Sequence, residues 1–139
     1  MFLTKECDYG IRVIRALAVG DKKTVEVIAM EELIPSKYAY KIVKKVERAG
    51  LVKSIRGRNG GYVLTKSLDD FTLLDVITAV DSERYVNECL QEDSTCVFRS
   101  GPDKPCGVHL ELVRLQGMIA EELNSKSMAQ VLGSFKEEA

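Results

Sequence analysis

The sequence predicts a mainly α fold with a small β-hairpin: a winged helix-turn-helix domain plus a long C-terminal dimerisation helix. Three observations carry that expectation. Residues 24–48 read as a short helix, a tight turn and a longer basic helix, which is the helix-turn-helix order. A short hairpin with a glycine-rich tip follows at once, within residues 51–64. Val108, Leu112, Leu115 and Ile119 then repeat at coiled-coil-like spacing, after a core domain is already complete.

The elements follow in order. Thr4 can cap a first helix, with Glu6 and Asp8 favouring the dipole of its first turn. Ile11, Ile14, Leu17 and Ala18 supply its apolar face, and Gly20-Asp21 ends it. Thr24 can cap a second helix bearing Val25, Ile28 and Ala29, with Leu33-Ile34 in the turn that follows. Pro35 or Ser36 opens the third helix. There Ala39, Ile42, Val43 and Val46 share one face. Lys37, Lys41, Lys44 and Arg48 form a second stripe at i, i+4, i+7 and i+11. Gly50 is the expected C′ residue after Ala49.

In the hairpin, Leu51 and Ile55 alternate with Lys53, and Asn59-Gly60-Gly61 is expected to supply the positive φ of a tight turn. Beyond a polar connection at residues 67–70, Thr72 and Asp75 form a capping-box pair. They open a helix of Leu73, Leu74, Val76, Ile77 and Val80. Residues 81–105 lose periodicity and hold Gly101, Pro102, Pro105 and two cysteines, a length that points to function rather than connection. A helical pattern resumes at Val108, with Met118 and Leu123 flanking the stripe. Ser127 to Leu132 can add a short helix before a tail expected to fray. The expected units are a DNA-binding domain over 1–80, a cysteine-bearing sensor loop over 81–107, and a dimerisation helix and tail over 108–139.

The chain has 139 residues and a net charge of −1, but its charges are unevenly placed. Residues 1–70 hold 14 Lys/Arg and 9 Asp/Glu, a balance of +5; residues 71–139 hold 6 and 12, a balance of −6. Residues 35–66 alone carry nine basic side chains and one acidic one, Glu47. A basic helix beside a basic hairpin suits double-stranded DNA, with the helix in the major groove. Ser36, Lys37, Tyr40 and Lys41 lie where base edges are read. Lys44, Lys45 and Arg48 lie where phosphates are met. Arg56 and Arg58 suit phosphate or a narrow minor groove. A recognition helix of this kind commonly works in two-fold pairs, so the apolar stripe is expected to make a homodimer. One histidine, no glycine-rich phosphate loop and no nucleophile–base pair argue against an enzyme. No apolar run reaches the ~20 residues of a membrane span. The start lacks a signal-peptide hydrophobic region, which implies a cytoplasmic protein without membrane partners.

Cys7, Cys89, Cys96 and Cys106 are the four cysteines. In such a compartment, clustered thiols are more often metal ligands or redox groups than structural disulfides. Cys7 lies among apolar residues and reads as a small core side chain.

The chain resembles the winged-helix transcription regulators of the iron–sulfur cluster regulator and nitric-oxide sensor type (IscR/NsrR-like). The resemblance spans nearly the whole chain. It rests on LTKECDYGIR, on IPSKYAYKIVKKVERAGLV, on the wing RGRNGGY, and on FTLLDVITAV leading into the cysteine-bearing loop. It implies a dimeric DNA-binding regulator whose loop holds an iron–sulfur cluster, [2Fe-2S] or [4Fe-4S], through Cys89, Cys96 and Cys106. The spacing Cys-x6-Cys-x9-Cys has a wider second gap than is usual in that family. For the fourth ligand the resemblance offers two positions: His109, three residues after Cys106, and Asp8 in the first helix, acting from a partner subunit. A closed zinc site and a thiol switch are the rival readings of the loop. An iron–sulfur electron carrier is the rival of another class, and it leaves the basic helix and wing unexplained.

Overall fold

The computed structural model describes residues 3–81, 85–96, 98 and 106–137, with side chains through residue 133. Gly101, Pro102 and Pro105 lie outside the described residues. The order is α1 (Lys5–Leu17), α2 (Val25–Glu32), α3 (Ser36–Arg48), β1 (Val52–Ile55), β2 (Gly61–Leu64), α4 (Leu73–Val80), a 3-10 turn (Glu88–Leu90), α5 (Gly107–Leu123) and α6 (Met128–Glu137). The winged helix-turn-helix expected from sequence is present.

Local signals explain most element ends. Thr4 and Thr24 accept from the backbone N–H groups of Cys7 and Val27, each at 3.3 Å. Thr72 and Asp75 complete a reciprocal capping box on α4. At the end of α3, Gly50 N–H donates to the Glu47 carbonyl and Leu51 N–H to that of Val46, a Schellman closure with Gly50 at φ 80°. α2 closes differently. Leu33 takes the left-handed conformation, φ 55°, a costly one for a leucine, and leaves its side chain 82% exposed.

The core lies where α1, α2, α3 and α4 meet. Ala39, Ile42, Val43 and Val46 of α3 are all fully buried, as are Val13 and Ile14 of α1, Ile28 of α2, and Val76 of α4. Each large aliphatic here contributes about 1.5–3 kcal/mol by leaving water. The buried face of α1 is Cys7, Tyr9, Gly10, Val13, Ile14, Ala16 and Leu17, so it is rotated from the face expected. Ile11 and Ala18 sit at its margin. Gly10 fixes that rotation: a Cβ there would stand 2.6 Å from Val80 Cγ2, so α4 presses directly on the α1 backbone.

The hairpin pairs Val52 with Leu64, Lys53 with Val63, Ser54 with Tyr62 and Ile55 with Gly61. Two expectations fail here. Positive φ falls on Gly57, at 121°, and not on Asn59, Gly60 or Gly61. Gly60 and Gly61 are needed for space instead: a Cβ would lie 2.6 Å from the Ile55 carbonyl oxygen and 2.8 Å from that of Lys23. The clean alternation of Leu51, Lys53 and Ile55 is also absent, because Val52 and Leu51 are both buried while Lys53 and Ser54 are exposed. A two-stranded ribbon packs only its base on the domain. Reciprocal backbone bonds between Lys23 and Tyr62, at 3.2 and 2.8 Å, stitch the ribbon to the α1–α2 connection.

The C-terminal elements divide. α5 buries none of its residues. α6 returns to the first domain: Met128 is fully buried in its core, and the backbone N–H groups of Met128 and Ala129 donate to the carbonyls of Phe71 and Leu68. The tail from Ser134 was expected to fray; the last two residues lie outside the described ones, but the backbone of α6 stays helical to Glu137. Its anchorage at Met128 supplies a packed first turn from which the helix propagates.

Candidate nucleic-acid interface and thiol segment

α3 presents one face to the core and the opposite one to solvent. The outward face carries Ser36, Lys37, Tyr40, Lys41, Lys44 and Arg48, all exposed. Lys45 lies at the edge, half-buried. Its ammonium donates to Glu6 Oε2 at 2.7 Å and to the Val80 carbonyl at 3.0 Å, so it also ties α3 to α1 and α4. Lys41 pairs with the other oxygen of Glu6 at 2.6 Å. Hydrogen bonds from Lys41 and Lys45 hold the Glu6 carboxyl below the usual carboxylate range, and the same contact raises Lys41.

The other edge of this face is bounded by a second carboxylate. Tyr40 donates its phenolic hydrogen to Glu26 of α2, which pushes the phenol up and Glu26 down. Lys44 sits 5.9 Å from the Tyr62 ring centroid and 3.4 Å from Glu47, bridging α3 to the hairpin; Tyr62 is the main cause of its raised pKa. Lys37 lies 5.1 Å from the Tyr38 ring, which in turn touches Tyr9. Tyr38 therefore packs at the rim of the domain. Arg56, Arg58 and Lys53 stand exposed on the hairpin, and no ion pair to them occurs among the described residues. The arrangement is a cationic helix and a cationic ribbon, with two built-in carboxylates along the helix edges.

The thiols occupy three settings. Cys7 is fully buried in α1, as its apolar neighbours required, and accepts from Thr4 Oγ1. Cys89 and Cys96 line one shallow depression of about 450 Å³ with Asn87, Ser94 and Thr95. Cys89 Sγ accepts from Asn87 Nδ2 at 3.4 Å. Cys106 occupies the N-cap position of α5. None of the four is in a disulfide. His109 follows on the first turn of α5, with Nδ1 buried and without a hydrogen-bond partner among the described residues. Asp8 instead pairs with Arg12 at 3.0 Å, on the outside of α1. Among the described residues, no three His, Cys, Asp or Glu side chains converge as a metal site. The cysteine segment nonetheless rests on α5, where Val86 N–H donates to Gln116 Oε1 at 2.8 Å.

Fold and surface together define a winged-helix protein with an exposed cationic face on α3. The chain belongs to the Rrf2 family, whose model, described as an iron-dependent transcriptional regulator, matches residues 3–134. The protein aau3 of Rhizobium meliloti is 32% identical over 93 residues, 66% of this chain and 60% of that protein. The NsrR transcriptional regulator of Shouchella clausii is 27% identical over 127 residues, 88% of this chain and 78% of that protein. The matched part spans under two thirds of aau3, and likewise of the rrf2 protein of Nitratidesulfovibrio vulgaris, at 66%. Two solved structures share the fold. CymR, the global cysteine regulator of B. subtilis, has a TM-score of 0.73 at 24% identity, covering 96% of this chain and 98% of that one. T. potens IscR has a TM-score of 0.74 at 22% identity, covering 99% and 90%. The resemblance read from the sequence is thereby shown, and the family is one of transcriptional regulators, not enzymes.

Proposed function

We propose that this chain is a homodimeric, cytoplasmic regulator that binds double-stranded operator DNA through α3 and the hairpin. On this reading, iron–sulfur, redox or nitric-oxide chemistry at the cysteine segment controls that binding. The observation that carries the DNA reading is the outward face of α3, where Ser36, Lys37, Tyr40, Lys41, Lys44 and Arg48 are all exposed, with Arg56 and Arg58 exposed on the hairpin that Lys44 reaches through Tyr62. The first four read base edges, and the rest meet phosphates and the minor groove. Lys45 reaches a phosphate only by leaving Glu6 and the Val80 carbonyl, so its share is smaller. Selection of random duplexes by the full chain tests this reading: a two-fold symmetric sequence is expected to enrich, and no enrichment would overturn it.

The unburied α5 supports pairing with a second copy. Val108, Leu110, Val113 and Met118 stay exposed in one chain, Val108 at 68%, while Leu112, Leu115 and Ile119 of the expected stripe are half-buried. Covering them creates the two-fold frame that spaces two reading heads about 34 Å apart. No helix among the described residues is long and apolar enough to cross a membrane.

For the sensor, the donor chemistry fits an iron–sulfur cluster: three soft thiols, and an imidazole whose buried Nδ1 has no partner among the described residues. Cys89, Cys96, Cys106 and His109 would hold it, with Asp8 of a partner copy as the alternative to His109. When bound, such a group supplies a centre reactive toward oxidants and nitric oxide. The chain's own part is to seat the cysteine segment on α5, so that gathering or releasing the thiols biases the dimer helix and the angle between reading heads. A thiol switch is the second reading, favoured by Cys89 and Cys96 lining one depression. Anaerobic purification with absorption spectra and iron and sulfide assays separates the two. The cluster reading expects visible absorption that Cys96→Ala abolishes without unfolding the chain. Colourless protein with stoichiometric zinc would contradict it.

A further inference from the structure

We propose that Tyr40 and Glu26 act as one acceptor unit that selects a base with a major-groove amino group, adenine or cytosine, at one position of each half-site. This rests on the DNA-binding reading above and deepens it. Tyr40 stands on the outward face of α3, five positions into the helix, and is 47% exposed. Its hydroxyl donates to Oε1 of Glu26 on the neighbouring helix α2. A phenol has one proton. With that proton aimed at Glu26, the phenol oxygen offers only lone pairs to anything approaching α3. The Glu26 carboxylate is acceptor-only as well.

Glu26 is well placed to stay ionised. It is the second residue of α2, near the positive end of the helix dipole, beside the Thr24 cap. Its acidity and that of the phenol are driven apart by their shared bond, so the proton remains on Tyr40. The α2–α3 edge thus has a fixed hydrogen-bond polarity that tyrosine alone would not have, since a free hydroxyl can rotate to donate or accept.

The major groove distinguishes such polarity. Adenine N6 and cytosine N4 donate there, whereas guanine O6 and thymine O4 accept. An amino group facing the unit gains a bond assisted by the carboxylate charge. A keto oxygen in its place leaves acceptors opposed and unpaired. Each base pair has one amino and one keto group in this groove. The unit therefore reads a pair's orientation, A·T from T·A and C·G from G·C, rather than A·T from G·C.

The test is selection from random duplexes by the full-length wild-type chain, Tyr40→Phe and Glu26→Ala, with thermal melts to verify folding. Both substitutions change exposed side chains, and Tyr40→Phe retains the ring. Wild type is expected to favour A or C over G or T at one position per half-site, on the order of tenfold. Both variants should lower that preference to about twofold or less at the same position while every other position persists. Unchanged preferences in both variants would overturn the inference while the DNA-binding reading stands. Failure of the wild type to enrich any sequence would overturn both.

Discussion

The α1–α4 unit and α5 draw on the same aliphatic residues and bury them to different extents. In the first, Ile14, Ile28, Ile42, Val43, Val46 and Ile77 leave solvent entirely. In the second, no residue of a 17-residue helix is buried. The first unit completes its core within one chain, closing even its far edge with Met128 from α6. α5 meets the cysteine segment through the bond from Val86 to Gln116, and the start of α4 through Thr72 and Asn124, with Leu112, Leu115 and Ile119 only half-buried. The difference shows that a helix can be specified as a helix by its pattern without completing its burial within the described chain. It also separates two kinds of residue: those that hold the α1–α4 unit together, and those that, on the proposed reading, would set how two copies sit relative to each other.

The sharpest contrast is obtained by substituting one residue in each region. Ile42→Ala removes a fully buried side chain and leaves a cavity, so it should cost about 2–5 kcal/mol in denaturant unfolding. Leu115→Glu should leave the unfolding transition of the α1–α4 unit nearly intact. In sedimentation it should convert dimers to monomers, weakening association by about 3 kcal/mol or more as a charge is placed in an apolar seam. A variant that stays a tight dimer would place the interface elsewhere.

Smaller effects test the reading surface itself. Arg56→Ala should weaken operator binding by about 1–3 kcal/mol if it reads a base or narrow groove, and by less if it meets only phosphate. Unchanged affinity on every sequence, measured by fluorescence anisotropy, would remove it from the interface. Glu6→Gln should have the least effect on stability, under about 1 kcal/mol, because the pair is largely solvated. Its pH signature is specific. The folded Glu6 pKa lies below its unfolded value, so its contribution is present above the ordinary glutamate range. That contribution is lost as pH falls through the depressed folded value. Wild type and Glu6→Gln should therefore converge in acid thermal melts.

Much of the head was legible in the sequence because its signals are local. Thr4, Thr24, Thr72 and Asp75 cap helices within a few residues of themselves, and the apolar face of α3 follows one period. What was missed depends on contacts distant in sequence. Gly60 and Gly61 are constrained by carbonyls of Ile55 and Lys23, which a turn rule does not see. The face of α1 is set by α4 pressing on Gly10. The same holds for the candidate site. The basic stripe was readable, but Glu6 looked like an ordinary first-turn acid and Glu26 drew no reading at all. Their reach to Lys41, Lys45 and Tyr40 crosses between helices and depends on packing. The cysteines were countable, yet spacing alone does not determine whether Cys89, Cys96 and Cys106 converge.

On the proposed reading, α3 and the hairpin read DNA in pairs joined by α5. Sedimentation of the full chain on a duplex carrying its selected site tests this most directly. Two protomers per duplex are expected, with Leu115→Glu losing most of the affinity. A complex of one protomer per duplex, unaffected by Leu115→Glu, would contradict it.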